Sequence, residues 1–199
     1  MKKIVCHGDS LTEAADLEKE YVWTAQIENR LNIEIINSGI GGDTSGGLLG
    51  RFYPDAIQHR PDLIIIMGGT NDLWWNLDIN TILANIYAMA CQARYHNIVP
   101  IVGLPLPILV ARARKQDYAA PLGGYANFEA KLSKLVSALT KSAKDSEIAC
   151  LDFYHLFCDK KGRINPKLFL DDGLHPNAEG NRKMASRAVE FLGDLFFFA

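Results

Sequence analysis

Along this chain, short apolar runs alternate with longer stretches in which apolar residues recur at helical spacing. Lys2–Cys6 reads as a short buried strand, broken by Gly8. Leu11–Glu20 is polar and irregular, and Tyr21–Leu31 then carries Trp23, Ile27 and Leu31 one helical turn or two apart. Ile33–Ile36 is a second apolar run, leading into Asn37-Ser38-Gly39. Gly39–Gly50 is dense in glycine, with a helix predicted to start at Thr44 or Ser45 and to run towards Phe52. Arg51–His59 continues to a boundary at Arg60-Pro61-Asp62. Leu63–Met67 is apolar on both faces, as a central parallel strand must be, and it opens into Gly68-Gly69-Thr70-Asn71-Asp72.

The second half repeats the alternation. Ile82, Ile86, Met89, Ala90 and Ala93 mark a helix ending near His96-Asn97, and Ile98–Leu104 is a fourth strand stopped by Pro105 and Pro107. Ile108–Gly124 is a long connection carrying Arg112, Arg114, Lys115 and Gln116. Phe128, Leu132, Leu135, Val136 and Leu139 form a helical stripe, and Ile148–Phe153 is a fifth strand. Pro176 is placed at the first position of a terminal helix, where proline is favoured; that helix ends in Leu195-Phe196-Phe197-Phe198. Five strands alternating with helices predict an α/β fold, with a parallel sheet covered by helices on both faces. No repeat, low-complexity tract or linker divides the 199 residues, so a single domain spanning 1–199 is expected.

Composition narrows the function classes. An apolar share of 48%, a charged share of 22% and a net charge of -2 are those of an ordinary globular protein, without the basic footprint of a nucleic-acid binder. No apolar run approaches the ~20 residues of a membrane span, and no apolar segment long enough for a signal peptide follows Met1-Lys2-Lys3. Cys6, Cys91, Cys150 and Cys158 form no C-x-x-C pair, and three lie in apolar runs, which predicts buried small hydrophobes rather than disulfides. The expectation is a cytoplasmic protein of undefined oligomeric state.

The candidate chemistry lies at the two ends of the chain. Ser10 follows the first strand, at the carboxyl edge where open α/β sheets bind ligands. A serine hydroxyl needs an adjacent base to become a nucleophile, and Asp172-Gly173-Leu174-His175-Pro176-Asn177 offers one. His175 titrates near neutrality and suits a general base that later protonates the leaving group. Pro176 holds it away from helical angles. An aspartate at 171 or 172 would fix the imidazole tautomer and stabilise the imidazolium. Asn71, after the central strand, offers a side-chain amide to a developing oxyanion, and the Ser10 N–H offers another donor. Trp74 and Trp75 follow this loop as an apolar wall for substrate or as plain packing beneath it. Asp9 and Asp72 are expected to hold their loops through hydrogen bonds to the backbone, without a chemical step.

Four tetrapeptides in order, Gly8-Asp9-Ser10-Leu11, Gly41-Gly42-Asp43-Thr44, Gly69-Thr70-Asn71-Asp72 and Asp172-Gly173-Leu174-His175, resemble the blocks of the SGNH hydrolases, the GDSL-type lipases and esterases. The resemblance spans nearly the whole chain. It implies a flavodoxin-like three-layer α/β/α sandwich with five parallel strands, Ser10, Asp172 and His175 as a catalytic triad, and Ser10, Gly42 and Asn71 as an oxyanion hole. It favours Asp172 over Asp171 and, by alignment, Gly42 over Gly41. The implied reaction is hydrolysis of a carboxylic ester through an acyl-serine intermediate without metal or organic cofactor. Small or short-chain esters, lysophospholipids, thioesters and acetylated sugars all fall within it, and the fold does not choose among them; compact loops favour a small ester.

Three other readings compete. Nucleotide binding lacks G-x-x-x-x-G-K-[ST] and the last glycine of the dinucleotide fingerprint. A metal-dependent phosphoesterase would draw on Asp9, Asn71, Asp72 and His175 as ligands, but only His7 and His175 of the five histidines lie in motifs. A non-catalytic binding module would have no need for the complete set of blocks.

Overall fold

A computed structural model describes residues 2–117 and 119–197. In chain order the elements are β1 (Lys3–Gly8), α1 (Ser10–Glu13), α2 (Trp23–Leu31), β2 (Glu34–Gly39), α3 (Ser45–Asp55), β3 (Leu63–Met67), α4 (Thr70–Trp74), α5 (Ile79–Tyr95), β4 (Val99–Leu104), α6 (Val110–Ala113), α7 (Gly124–Asp145), β5 (Ala149–Asp152) and α8 (Ala178–Phe197). The five strands form one sheet in the order β2-β1-β3-β4-β5, every pairing parallel.

Side-chain alternation along the strands divides the core in two. Ile64 and Ile66 of β3, with Val5 and Val102, face α3, α5 and α7 through Leu48, Phe52, Ile86, Met89, Phe128 and Leu135. Leu63, Ile65 and Met67, with Ile4, Cys6 and Ile101, face α2 and α8 through Trp23, Ile27, Met184, Ala188 and Leu192. All five residues of β3 are buried because both faces are covered. The result is a three-layer α/β/α sandwich. Its order reverses between β1 and β3, and the carboxyl ends of strands at such a switch point leave a crevice for ligand.

Three local expectations are corrected. Gly8 does not break β1: it is the strand's last residue and pairs with Gly39 on one side and Met67 on the other. The glycines serve close approach instead. A Cβ on Gly39 would stand 2.1 Å from the Glu13 nitrogen, and one on Gly8 would stand 2.2 Å from Thr12 Oγ1. Bare strand ends let α1 lie across them. Pro176 is not the first residue of the last helix: it bridges to Phe169, α8 begins at Ala178, and the Asn177 side chain accepts from Gly180 N at 3.1 Å as the cap. Of the cysteines, Cys6 alone is buried, while Cys91 is exposed and Cys150 and Cys158 are intermediate. Of the apolar tail, Phe198 lies outside the described residues. Among those described, no helix is long and apolar enough to cross a membrane.

Candidate active site

Asp9, buried at the end of β1, accepts the Leu11 N–H at 3.0 Å and so caps α1, which puts Ser10 at the first position of a short helix over the sheet edge. At the other end of the chain, Asp172 folds its own loop. Its Oδ1 accepts from Leu174 N at 2.9 Å and His175 N at 3.0 Å, while its Oδ2 meets His175 Nδ1 at 2.5 Å. His175 Nε2 lies 2.9 Å from Ser10 Oγ. An ionised carboxylate only accepts, so the Nδ1 carries the proton and Nε2 is left to accept from the serine hydroxyl. Asp171 makes no such contact; its backbone carbonyl accepts from the Gln116 side chain at 3.1 Å.

The electrostatics reinforce this arrangement. Burial alone would lower the His175 pKa, but the hydrogen bond and charge of Asp172, with the carboxylates of Asp16 and Asp9, raise it above its usual value. Burial pushes Asp172 the other way, yet hydrogen bonds from the His175 ring, the His175 N–H and the Leu174 N–H hold it below the ordinary carboxylate range. Asp9 is pushed up to about 7 by complete burial, and its Oδ2 has no partner among the described residues.

The remaining predicted residues converge on Ser10. Gly42 takes φ +77° within the turn closed by Asp43 N to Ile40 O at 3.2 Å, a conformation that glycine adopts without cost. A Cβ on neighbouring Gly41 would stand 3.9 Å from Ser10 Cβ. Asn71, near the start of α4, donates its side-chain amide to Asp43 O at 2.8 Å, which aims it across the same gap. Ser10, Gly42, Asn71, His175, Trp74 and Trp75 all line one cleft of about 560 Å³. Trp74 packs beneath its loop and also borders the cleft. Its ring meets Tyr125 and Phe128 edge-on at 5.9 and 5.5 Å, its Nε1 donates to Ala119 O at 3.1 Å, and its other side walls the cleft. Trp75 lines the mouth and stays 57% exposed.

Asp72 holds its loop in the expected way but through α3: its Oδ2 accepts from Ser45 N at 2.8 Å and its Oδ1 from Ser45 Oγ at 2.5 Å. Both oxygens are thereby engaged away from the cleft. His7 is buried with Nε2 donating to Leu48 O and Nδ1 against Ser38 Oγ, each at 2.9 Å, and desolvation lowers its pKa to about 4. Among the described residues, no group of three or more His, Cys, Asp or Glu is arranged to hold a metal ion.

Two arginines that carried no signal in the sequence hold the site together. Arg51 reaches from α3 to Gly8 O at 2.9 Å, Ser38 O at 3.0 Å and Asp43 Oδ2 at 2.7 Å, joining the ends of β1 and β2 to the Gly42 turn. Arg112 of α6 donates to Leu170 O at 3.1 Å and Phe169 O at 3.3 Å, while Leu109 N donates to Gly173 O at 2.8 Å. The long connection after β4 is thus a brace for the loop that carries Asp172 and His175.

The sequence pattern of the GDSL-like lipase/acylhydrolase family matches residues 6–183. The chain belongs to that family. This acylhydrolase is 25% identical over 199 residues to an arylesterase of Vibrio mimicus, across 96% of this chain and 88% of the relative. It is 23% identical over 176 residues to thioesterase 1/protease 1/lysophospholipase L1 of Escherichia coli, across 86% and 74%. Its fold superposes on a lipolytic protein of the G-D-S-L family from Desulfitobacterium hafniense with a TM-score of 0.82 at 26% identity, covering 96% and 99% of the two chains. The protein is an enzyme of the esterase and acylhydrolase class.

Proposed function

We propose that this family member hydrolyses small carboxylic esters through an acyl-Ser10 intermediate. The observation that carries the reading is the unbroken relay from Asp172 Oδ2 through both His175 nitrogens to Ser10 Oγ. His175 Nε2 takes the serine proton as Oγ attacks the carbonyl carbon. The carbonyl oxygen gains charge and is received by the Ser10 N–H, the Gly42 N–H and the Asn71 amide hydrogen not given to Asp43. Collapse of the tetrahedral intermediate breaks the bond to the alcohol oxygen, which takes the proton from His175. A water, deprotonated by the same nitrogen, then attacks the acyl-serine and releases the acid.

Asp172 keeps the Nδ1–H tautomer and stabilises the imidazolium formed in each half-reaction. The apolar wall of Trp74, Leu106, Ile108 and Leu174 offers the acyl or aryl part of a small ester a dry surface. None of these steps calls on a metal or organic cofactor. The four free thiols fit a reducing compartment, so we assign the enzyme to the cytoplasm. We take the whole chain as one catalytic domain.

Ser10→Ala should abolish hydrolysis of p-nitrophenyl acetate while leaving the melting temperature within a few degrees, and a fluorophosphonate should add its mass to Ser10 in the unaltered protein. Near-normal turnover by the alanine variant, or labelling at Cys6 instead, would remove Ser10 from the reaction.

A further inference from the structure

The charged side chains of Asp and Glu type that line the cleft, Glu13 and Asp16, are of one sign. Glu13, at the end of α1, brings its Oε2 within 2.9 Å of where a Cβ on Gly41 would stand, and Gly41 adjoins Ser10. Asp16 lines the same cleft a few residues on. No lysine or arginine lines it among the described residues. Lys19 belongs to a separate hollow of about 370 Å³, shared with Glu28, which has only Glu13 and Ala15 in common with the cleft.

We propose that Glu13 and Asp16 are specificity-determining residues that make the cleft select esters uncharged or cationic around the scissile bond and reject anionic ones. The proposal rests on the reading of Ser10 as the acylated nucleophile. A carboxylate or phosphate on the alcohol part would enter a space already facing two carboxylates, with no cation to pair it. Like charges at such range cost rate at low ionic strength and are screened by salt over about 10 Å at 0.1 M. A quaternary ammonium there would gain the opposite field.

The field reaches the reacting atoms, since the Asp16 carboxylate of this cleft is among the charges that favour the protonated form of His175. The oxyanion itself is served by its own N–H donors, so a negative surround does not prevent the chemistry. The consequence is a narrowing of substrate class. Aryl and alkyl esters of neutral alcohols fit, whereas acyl groups carried on a phosphate-bearing alcohol or thiol are disfavoured.

The test compares phenyl acetate, 3-(trimethylammonio)phenyl acetate and 3-carboxyphenyl acetate. Each kcat/KM is divided by the rate of hydroxide-catalysed hydrolysis to remove leaving-group differences. At 10 mM salt the anionic ester should fall roughly tenfold below the neutral one, with the cationic ester equal to or above it, and 0.5 M salt should compress the series to within about threefold. Glu13→Gln with Asp16→Asn should raise the anionic-to-neutral ratio towards one. That ratio does not depend on the folded fraction. Ratios indifferent to salt and to the substitutions, or an anionic ester preferred, would overturn the proposal. Failure to turn over any of the three esters, with no fluorophosphonate adduct on Ser10, would instead overturn the esterase reading beneath it.

Discussion

Replacing Asp172 by asparagine separates geometry from charge at the centre of the site. The asparagine carbonyl can keep the two backbone bonds from Leu174 N and His175 N that Asp172 Oδ1 accepts at 2.9 and 3.0 Å, so the loop retains its shape. The second atom becomes an amide donor facing His175 Nδ1, where an acceptor stood at 2.5 Å. To avoid two donors meeting, the imidazole must move its proton to Nε2, which can then no longer accept from Ser10 Oγ. A tautomer of the wrong kind costs about 10⁴ in kcat, or about 5.5 kcal/mol at 1.36 kcal/mol per decade.

The pH dependence gives an independent readout. As the proposed general base His175 must be neutral to act, and its pKa is raised by Asp172 against the lowering effect of burial. The acid limb of kcat/KM should therefore lie above the usual histidine value of ~6.5 in the unaltered enzyme and move below it in the variant. Stability follows the same linkage. A histidine with a raised folded pKa contributes stability in full below ~6.5 and loses it as pH rises through the folded value. The lowered Asp172 contributes above ~3.9 and loses it as pH falls. The melting temperatures of the two proteins should thus diverge most between about pH 4 and 6.5 and narrow as His175 loses its proton at alkaline pH, where the part that Asp172 owes to its backbone N–H donors remains. Steady-state turnover of p-nitrophenyl acetate and thermal melts on one preparation decide the matter. A variant that keeps more than a tenth of kcat with an unmoved acid limb refutes the role given to Asp172.

Other substitutions probe the frame around the relay. Asn71→Ala should lower kcat by ~10²–10³ with little change in KM, the effect of removing one oxyanion donor; an unchanged kcat per folded molecule would make Asn71 structural only. Gly39→Ala forces a methyl group into the backbone of Glu13 and should cost about 1–3 kcal/mol, seen as a melting temperature lower by about 2–12 °C; an unshifted melt would show that α1 is not pressed on the strand ends. Arg112→Ala leaves the Leu170 and Phe169 carbonyls without their donor and should lower kcat more than it raises KM, with partial recovery on adding millimolar guanidinium; loss of stability alone, without a kcat effect or rescue, would reduce Arg112 to packing.

The residues legible in the sequence are those whose role is set by local pattern. Leu63–Met67 announced a doubly covered strand because both of its faces are apolar, and the helical stripe from Phe128 to Leu139 announced α7. Ser10 could be placed near a strand end because the apolar run Lys2–Cys6 precedes it, although the strand itself runs Lys3–Gly8, and Asp172 could be tied to His175 because the two are three residues apart. Glycine was the poorer guide. Gly8 looks like a strand breaker by itself, but Gly8 and Gly39 as paired neighbours beneath α1 are what the close approach requires. Pro176 likewise fits the start of a helix on local grounds; its bridge to Phe169 and the Asn177 cap belong to the fold of the whole loop.

Contacts between distant segments left no trace in any window of sequence, and they decide how firmly the site is held. Arg51 reads as an ordinary helix arginine, yet its side chain gathers the ends of two strands and the turn that carries Gly42. Arg112 reads as one of several basic residues in a long connection. That connection spans two walls of the cleft: Ala119 O accepts from Trp74 Nε1, Leu122 N donates to Trp74 O, and Leu109, Arg112 and Gln116 all hold the segment from Phe169 to Gly173. The apolar wall and the Asp172–His175 loop therefore share one support. A change in residues 108–122 that shifts Trp74 should also move His175 relative to Ser10, so substrate preference and kcat would change together. Positioning within about half an ångström is what the proposed serine relay needs. Here the groups are held by a brace without regular secondary structure over most of its length, fastened by backbone hydrogen bonds from Leu109 N to Gly173 O and from Leu122 N to Trp74 O.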